Sequence, residues 1–377
     1  MFREELSTLP VDVEQDAAGN IWAYLRGATT DVVAVGSHLD SVPSGGWLDG
    51  ALGVLGGLEV LRTLCREREA NGPLPCTFAL VDWADEEGAR FGRSLFGSAA
   101  CAGTLDIDVL AELTDRNGNK LPEVLSDHGV DITKLDECQQ RMANVKAYLE
   151  LHIEQGPILE ARGLGIATVT GTVGIERERL IFTGQAAHAG TMPMEMRRDS
   201  FRAASRFALA IAEIGERHNG VTTVGSVSCW PGVVTAVAGE TRLTMDMRHI
   251  DDDVLEKMFA EAKTAAAKAA SDEGCSVEFE HIFRIPPMPF HDALLDVARQ
   301  EVARQEGHDF SLPSGALHDA SEIARTVPTV MIFTSSIGGL SHTKEEDTPD
   351  DHLEMGAAAF MATVRRTIDL VASGALV

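Results

Sequence analysis

Residues 31–40 read Asp-Val-Val-Ala-Val-Gly-Ser-His-Leu-Asp, an apolar run that ends in a histidine and an aspartate. The run DVVAV at Asp31–Val35 has the length and β-branched content of a buried strand. Its carboxyl end leads straight into His38 and Asp40, side chains that bind or orient metal ions. The arrangement recurs: Thr77–Trp83 (TFALVDW) leads into Asp85-Glu86-Glu87, Ala147–Leu151 (AYLEL) into His152, and Thr329–Phe333 (TVMIF), after a short loop, into Ser341-His342. Helical periodicity marks Ala51–Leu64 and Glu354–Val371, and the polar, acid-rich region 104–145 reads as helices and loops. Strands alternating with helices predict an α/β fold with a mostly parallel sheet covered on both faces. Ligand sites in such sheets form outside the carboxyl ends of the strands. Strand ends carrying imidazoles and carboxylates therefore predict one convergent site.

The middle of the chain has another order. Arg179–Phe182, Thr222–Cys229, Thr241–Met247 and Ser276–His281 read as strands, and Arg198–Glu216 and Asp251–Ser271 as helices. This β-α-β-β-α-β order predicts a small ferredoxin-like α+β domain. It is expected at residues 176–290, inserted between residues 1–175 and 291–377 of the main domain.

Composition narrows the function. The 377 residues carry a formal charge of −26. Such an acidic surface excludes a nucleic-acid partner, which needs basic groups. It also repels anionic ligands, so a substrate carboxylate requires a local arginine. No apolar run reaches the roughly 18 residues of a membrane span. The N-terminus, MFREELSTLP, lacks the basic flank and apolar stretch of a signal peptide, so a cytoplasmic location is expected. The six cysteines, Cys65, Cys76, Cys101, Cys138, Cys229 and Cys275, form no C-x-x-C pair and read as reduced thiols. A metal site must then use histidines and carboxylates.

At the residue level, His38 can ligate a metal while Asp40 orients its ring, although H-x-D alone also fits an ordinary strand-end histidine. Asp49, flanked by Gly45, Gly46 and Gly50 and followed by a helix, can bridge two cations or simply cap the helix. Glu86 and Glu87 are adjacent and point apart. One can bind metal while the other serves as general base; a solvated acidic turn is the alternative. With His152 and His342 the set becomes three histidines and two carboxylates, which suits two zinc, manganese or cobalt ions.

The segments GSHLDSVPSGGWLDGALGV (36–54), DEEGARFGRSLFGS (85–98), LHIEQGP (151–157), GQAAHAGTMPM (184–194), RHIDD (248–252), LPSGALHDA (312–320) and GLSHTKEE (339–346) resemble the M20 metallo-amidohydrolases. Within them the chain is similar to the carbamoylase branch of N-carbamoyl-L-amino acid hydrolases, β-ureidopropionases and allantoate amidohydrolases. The resemblance implies two divalent ions, one held by His38 and His152 and the other by Glu87 and His342, with Asp49 bridging. It implies Glu86 as general base, and the inserted domain as lid and dimerisation domain. His188 is implied to stabilise the oxyanion in the partner's active site, and Gln155 and Arg248 to bind substrate. Thr235 stands where the family carries a substrate-binding asparagine, and Lys344 where it carries proline. The first strand lies so near the start that an N-terminal helix common in the family is expected to be missing. His318 and Asp319 are expected to support the site without binding metal. The implied reaction is hydrolysis of an N-carbamoyl-L-amino acid. Allantoate, a β-ureido acid, an acylamino acid or a dipeptide are alternative substrates, and a non-catalytic metal-binding protein is the alternative of a different class.

Overall fold

A computed structural model describes residues 2–376. It divides into two compact units, one comprising the chain up to Gly171 and from Pro289 onward, the other Thr172–Met288.

The first unit is built on a nine-stranded sheet. Its centre is parallel, with Thr77–Trp83, Val32–His38, Val145–Ile153 and Thr329–Thr334 side by side. Every residue of Val32–His38 is buried, which is why that strand shows an apolar run and no alternation. The helices Ala51–Asn71 and Asp350–Ser373 meet Leu151 on one face, through the close approach of Gly56 and Gly356. The other face is covered by Phe96–Ala102 and Asp319–Ile323, the latter donating the Ala320 amide to Glu150 in the central strand. The sheet margins are antiparallel: the hairpin Asp12–Gln15/Ile21–Leu25 flanks Thr77–Trp83, and Ile166–Thr172 runs against Thr329–Thr334. Asp16 closes the hairpin by accepting the Ala18 and Asn20 amides and the Trp22 indole N–H. A helix at Phe2–Ser7 precedes the hairpin.

The second unit is a four-stranded antiparallel sheet in the order Ser276–Ile285, Gly174–Thr183, Glu240–His249, Val221–Trp230. Helices Ser200–His218 and Asp252–Asp272 bury Phe207, Ile211, Leu255 and Met258 against Leu180, Phe182, Leu243 and Met245. Asp199 and Asp251 cap the helix N-termini, each accepting backbone amides. Pairing begins at Gly174, opposite His249, so the units divide a few residues before position 176. Val221–Trp230 lies at the sheet edge with Val221, Val227 and Trp230 exposed.

Candidate dinuclear metal centre

The centre grows from the carboxyl ends of the parallel strands. His38 is the last residue of its strand, His152 the penultimate residue of its own, and both are buried. In each ring Nδ1 meets a backbone carbonyl, that of Asp40 at 3.0 Å for His38 and that of Ile153 at 2.9 Å for His152. A carbonyl only accepts, so the proton sits on Nδ1 and Nε2 is the nitrogen turned inward. Both Nε2 atoms face Oδ1 of Asp49, at 3.7 Å from His38 and 3.2 Å from His152. Oδ2 of Asp49 lies 3.1 Å from Nε2 of His342, which is 3.7 Å from Oε2 of Glu87. Two donor triads result, His38/Asp49/His152 and Asp49/Glu87/His342, with the donor atoms of each within 4.8 Å of one another. Asp49 is common to both and offers one oxygen to each, the disposition of a bridging carboxylate.

Glu86 belongs to neither triad. It is buried, and its Oε2 lies 3.7 Å from Nε2 of His38. Asp40 acts differently from the sequence expectation. Its backbone carbonyl orients His38, while its carboxylate stands 3.6 Å from Nδ1 and instead accepts the Glu86 and Glu87 amides at 3.0 and 3.1 Å. The side chain thus sets the acidic turn that aims the two glutamates apart. Gln155 donates Nε2 to Oδ2 of Asp49 at 2.9 Å, and its Oε1 is buried with no hydrogen-bond partner among the described residues.

The loops bearing these groups are strained. Asp85, Leu95, Gln155 and His342 adopt φ of 52°, 59°, 58° and 57°, a region that residues with a Cβ seldom visit. At Gly50, with φ 67°, a Cβ would fall 2.4 Å from the His38 ring, so glycine is required beside the bridging aspartate. Within this unit a cavity of about 180 Å³ opens onto Asp49, Glu86, Glu87, His152, Gln155 and His342.

Electrostatics shows what the cluster demands. Burial disfavours the charge on Asp49, but the His152 hydrogen bond and the charges of His152 and His38 hold its carboxyl well below the usual range. Burial likewise disfavours the His152 cation, yet Asp49 and Glu150 push it up to about 9. Burial first, and then neighbouring carboxylates, raise both Glu86 and Glu87. Glu86 and Glu87 are thus held where their negative charge is disfavoured unless a cation offsets it, and Oε1 of Glu87 is buried without a partner among the described residues. Both features fit a site built for cations.

Three supporting groups carried little sequence signal. Glu346, almost fully buried, accepts the Leu48 and Asp49 amides at 3.0 and 2.9 Å. In sequence it is one acid in a Lys-Glu-Glu-Asp run and looks solvated. Ser341 donates its hydroxyl to Glu346 at 2.9 Å, and the same oxygen lies 3.2 Å from Oδ2 of Asp49. Glu150 accepts from Ser37, Tyr148 and the Ala320 amide; its only trace in sequence is an acid inside the otherwise apolar AYLEL. The His318 ring packs 4.4 Å from the His152 ring, with Nε2 against Ser314.

His188, Thr235 and Arg248 lie in the second unit. His188 is exposed, on a short ladder opposite Ala236, and its Nδ1 accepts the Gly190 amide at 3.1 Å. Nε2 therefore carries the proton and is a donor. Thr235 accepts the Ala189 amide through its carbonyl at 2.8 Å. Arg248 is held by Asp246, Nε to Oδ1 at 2.8 Å, and Arg177 approaches the same carboxylate.

The family described as peptidase family M20/M25/M40 matches residues 34–366. The chain belongs to this family. Among its M20 relatives, an N-carbamoyl-L-amino acid amidohydrolase of Geobacillus stearothermophilus is 36% identical over 357 residues, covering 93% of this chain and 86% of the relative. An allantoate amidohydrolase of Escherichia coli strain K12 is 32% identical over 351 residues, covering 92% and 84%. A solved hydantoinase/carbamoylase family amidase from Burkholderia multivorans superposes with a TM-score of 0.86 at 35% identity, covering 97% of this chain and 88% of that one. These likenesses place the chain in the carbamoylase branch of the M20 family, as a hydrolase of C–N bonds other than peptide bonds. M20 enzymes typically depend on a dinuclear metal site, and the paired donor triads suit one. No helix among the described residues is long and apolar enough to cross a membrane.

Proposed function

We propose that the chain hydrolyses the C–N bond between the carbamoyl carbon and the amino-acid nitrogen of an N-carbamoyl-L-amino acid; the carbamate released then breaks down by itself, so that the products are the amino acid, ammonia and carbon dioxide. One observation carries this reading: Asp49 offers an oxygen to each of two donor triads, while a buried carboxylate outside both, Glu86, stands beside them. His38 and His152 would hold one divalent ion and Glu87 and His342 the other, with zinc, manganese or cobalt suiting these donors. When bound, the ions acidify a water and polarise the scissile carbonyl. Glu86 takes the proton of the attacking water and returns it to the leaving nitrogen. Burial suits Glu86 to a proton-holding role, as it favours the neutral form. Oε1 of Gln155, buried without a hydrogen-bond partner among the described residues, is the proposed acceptor for a ureido N–H. Arg248, its fork oriented by Asp246, is the proposed carboxylate anchor.

The second unit is proposed as a ferredoxin-like lid and dimerisation domain. Its exposed edge strand, with Val227 and Trp230, and the exposed Phe201 and Leu209 of its first helix, suit a second copy of the chain. His188, with Nε2 as donor, would serve the oxyanion in the partner's site. A cytoplasmic location is part of the same proposal.

The deciding experiment is a panel of N-carbamoyl-L- and D-amino acids, N-carbamoyl-β-alanine, allantoate and acylamino acids, assayed on enzyme loaded with each metal in turn. The expected result is highest kcat/KM on an N-carbamoyl-L-amino acid. Preference for allantoate would instead match the Escherichia coli relative and assign Thr235 to a site reading a different substrate. Cleavage of acylamino acids alone would overturn the ureido reading.

A further inference from the structure

We propose that Glu346 is a positioning residue for the metal centre, coupling the loop that presents Asp49 to the loop that presents His342. The inference rests on the dinuclear reading above and adds a residue to it. Glu346 is 1% exposed. Its Oε1 accepts the amides of Leu48 and Asp49 at 3.0 and 2.9 Å, clamping the backbone of the bridging aspartate. Its Oε2 accepts Ser341 Oγ at 2.9 Å, one residue before His342, and the same hydroxyl lies 3.2 Å from Oδ2 of Asp49. One carboxylate thus ties together two loops that are about 290 residues apart in sequence.

Space has been made for it. A Cβ on Gly46 would lie 2.2 Å from Oε1 of Glu346, so a glycine at 46 lets the carboxylate reach under the loop. The two loops have no strand pairing to each other, and both Gly50 and His342 sit at positive φ. Loops in such conformations persist only where surrounding contacts over-determine them. Glu346 supplies that determination at the point where one oxygen of Asp49 must face His342. Removing it leaves the donor side chains in place but lets their separation drift, and partners of this kind typically govern metal affinity by 10–100-fold.

The test is calorimetric titration of Mn²⁺ into metal-depleted full-length chain, with melting temperature recorded on the same samples. Wild type is expected to take two ions per chain. Glu346→Ala is expected to remain folded, to bind at least one ion roughly 10–100-fold more weakly, and to lose kcat at limiting Mn²⁺ with recovery in excess, KM moving little. Glu346→Gln keeps a carbonyl acceptor for the two amides and should recover most of that affinity. Should Glu346→Ala not fold, Gly46→Ala displaces the carboxylate without deleting it and is expected to show the same weakened binding. A lowered melting temperature with unchanged Mn²⁺ affinity in whichever of these variants folds would reduce Glu346 to a structural role and overturn the proposal. Fewer than two ions bound by wild type would instead overturn the dinuclear reading, and this inference with it.

Discussion

Glu86 and Glu87 are adjacent in sequence and have different surroundings. Oε2 of Glu87 lies near His342, within a donor triad, whereas Glu86 faces His38 from outside both triads. The separation is set by Asp40, which accepts both of their amides. Sequence alone showed that two acids were adjacent and would point apart. It did not show that a third acid ordered the turn, because that contact spans 46 residues. If Glu86 moves the proton, Glu86→Gln should keep its metal and its fold and lose activity by on the order of 10²–10⁴-fold. Metal analysis beside steady-state kinetics checks this, and full turnover in the variant would remove Glu86 from the chemistry.

At the scale of elements, the parallel strands deliver the centre, and their neighbours impose a cost. Asp82, in Thr77–Trp83, is pushed up to about 7, first by burial and then by the charge of Asp40, with the Leu39 amide and Arg3 pulling it back. The unfolded chain holds an ordinary carboxyl near 3.9. Between about pH 4 and 7 the folded chain therefore binds a proton that the unfolded chain does not, and stability falls as pH rises through that window. Asp82→Asn should remove that slope. Its stability advantage over wild type should grow by about 2–4 kcal/mol from pH 4.5 to pH 7.5. Urea unfolding at the two pH values measures it, and parallel slopes for the two proteins would contradict the assignment. The strands themselves were plain in sequence, since Thr77–Trp83 and DVVAV are apolar runs of strand length. The marginal hairpin and the helix Phe96–Ala102 were not. Their residues follow no clear period, and they are stabilised by contacts made far along the chain, such as Ser98 with Asp319 and Asn20 with the Gly97 carbonyl.

For the whole molecule, the proposed delivery of His188 by a partner subunit has a sharp consequence. Glu86→Gln and His188→Ala should each be nearly inactive as purified homodimers. After mixing and subunit exchange, half of the dimers carry both lesions on different chains and restore one complete site. Activity should return to about a quarter of wild type at equal mixing. No recovery, with exchange verified by differently tagged chains, would rule out delivery in trans. The alternation of strands and helices, the β-α-β-β-α-β order of the middle segment, and the strand ends that bear imidazoles and carboxylates are all legible in the amino-acid order alone. All of these are local properties, encoded in side-chain periodicity and residue type. That Asp49 turns one oxygen to each triad, that Gln155 holds it, and that Glu346 is buried beside it emerge only in the folded chain. Those facts depend on loops brought together by sheet pairing across hundreds of residues, and no local period in the chain records such a meeting.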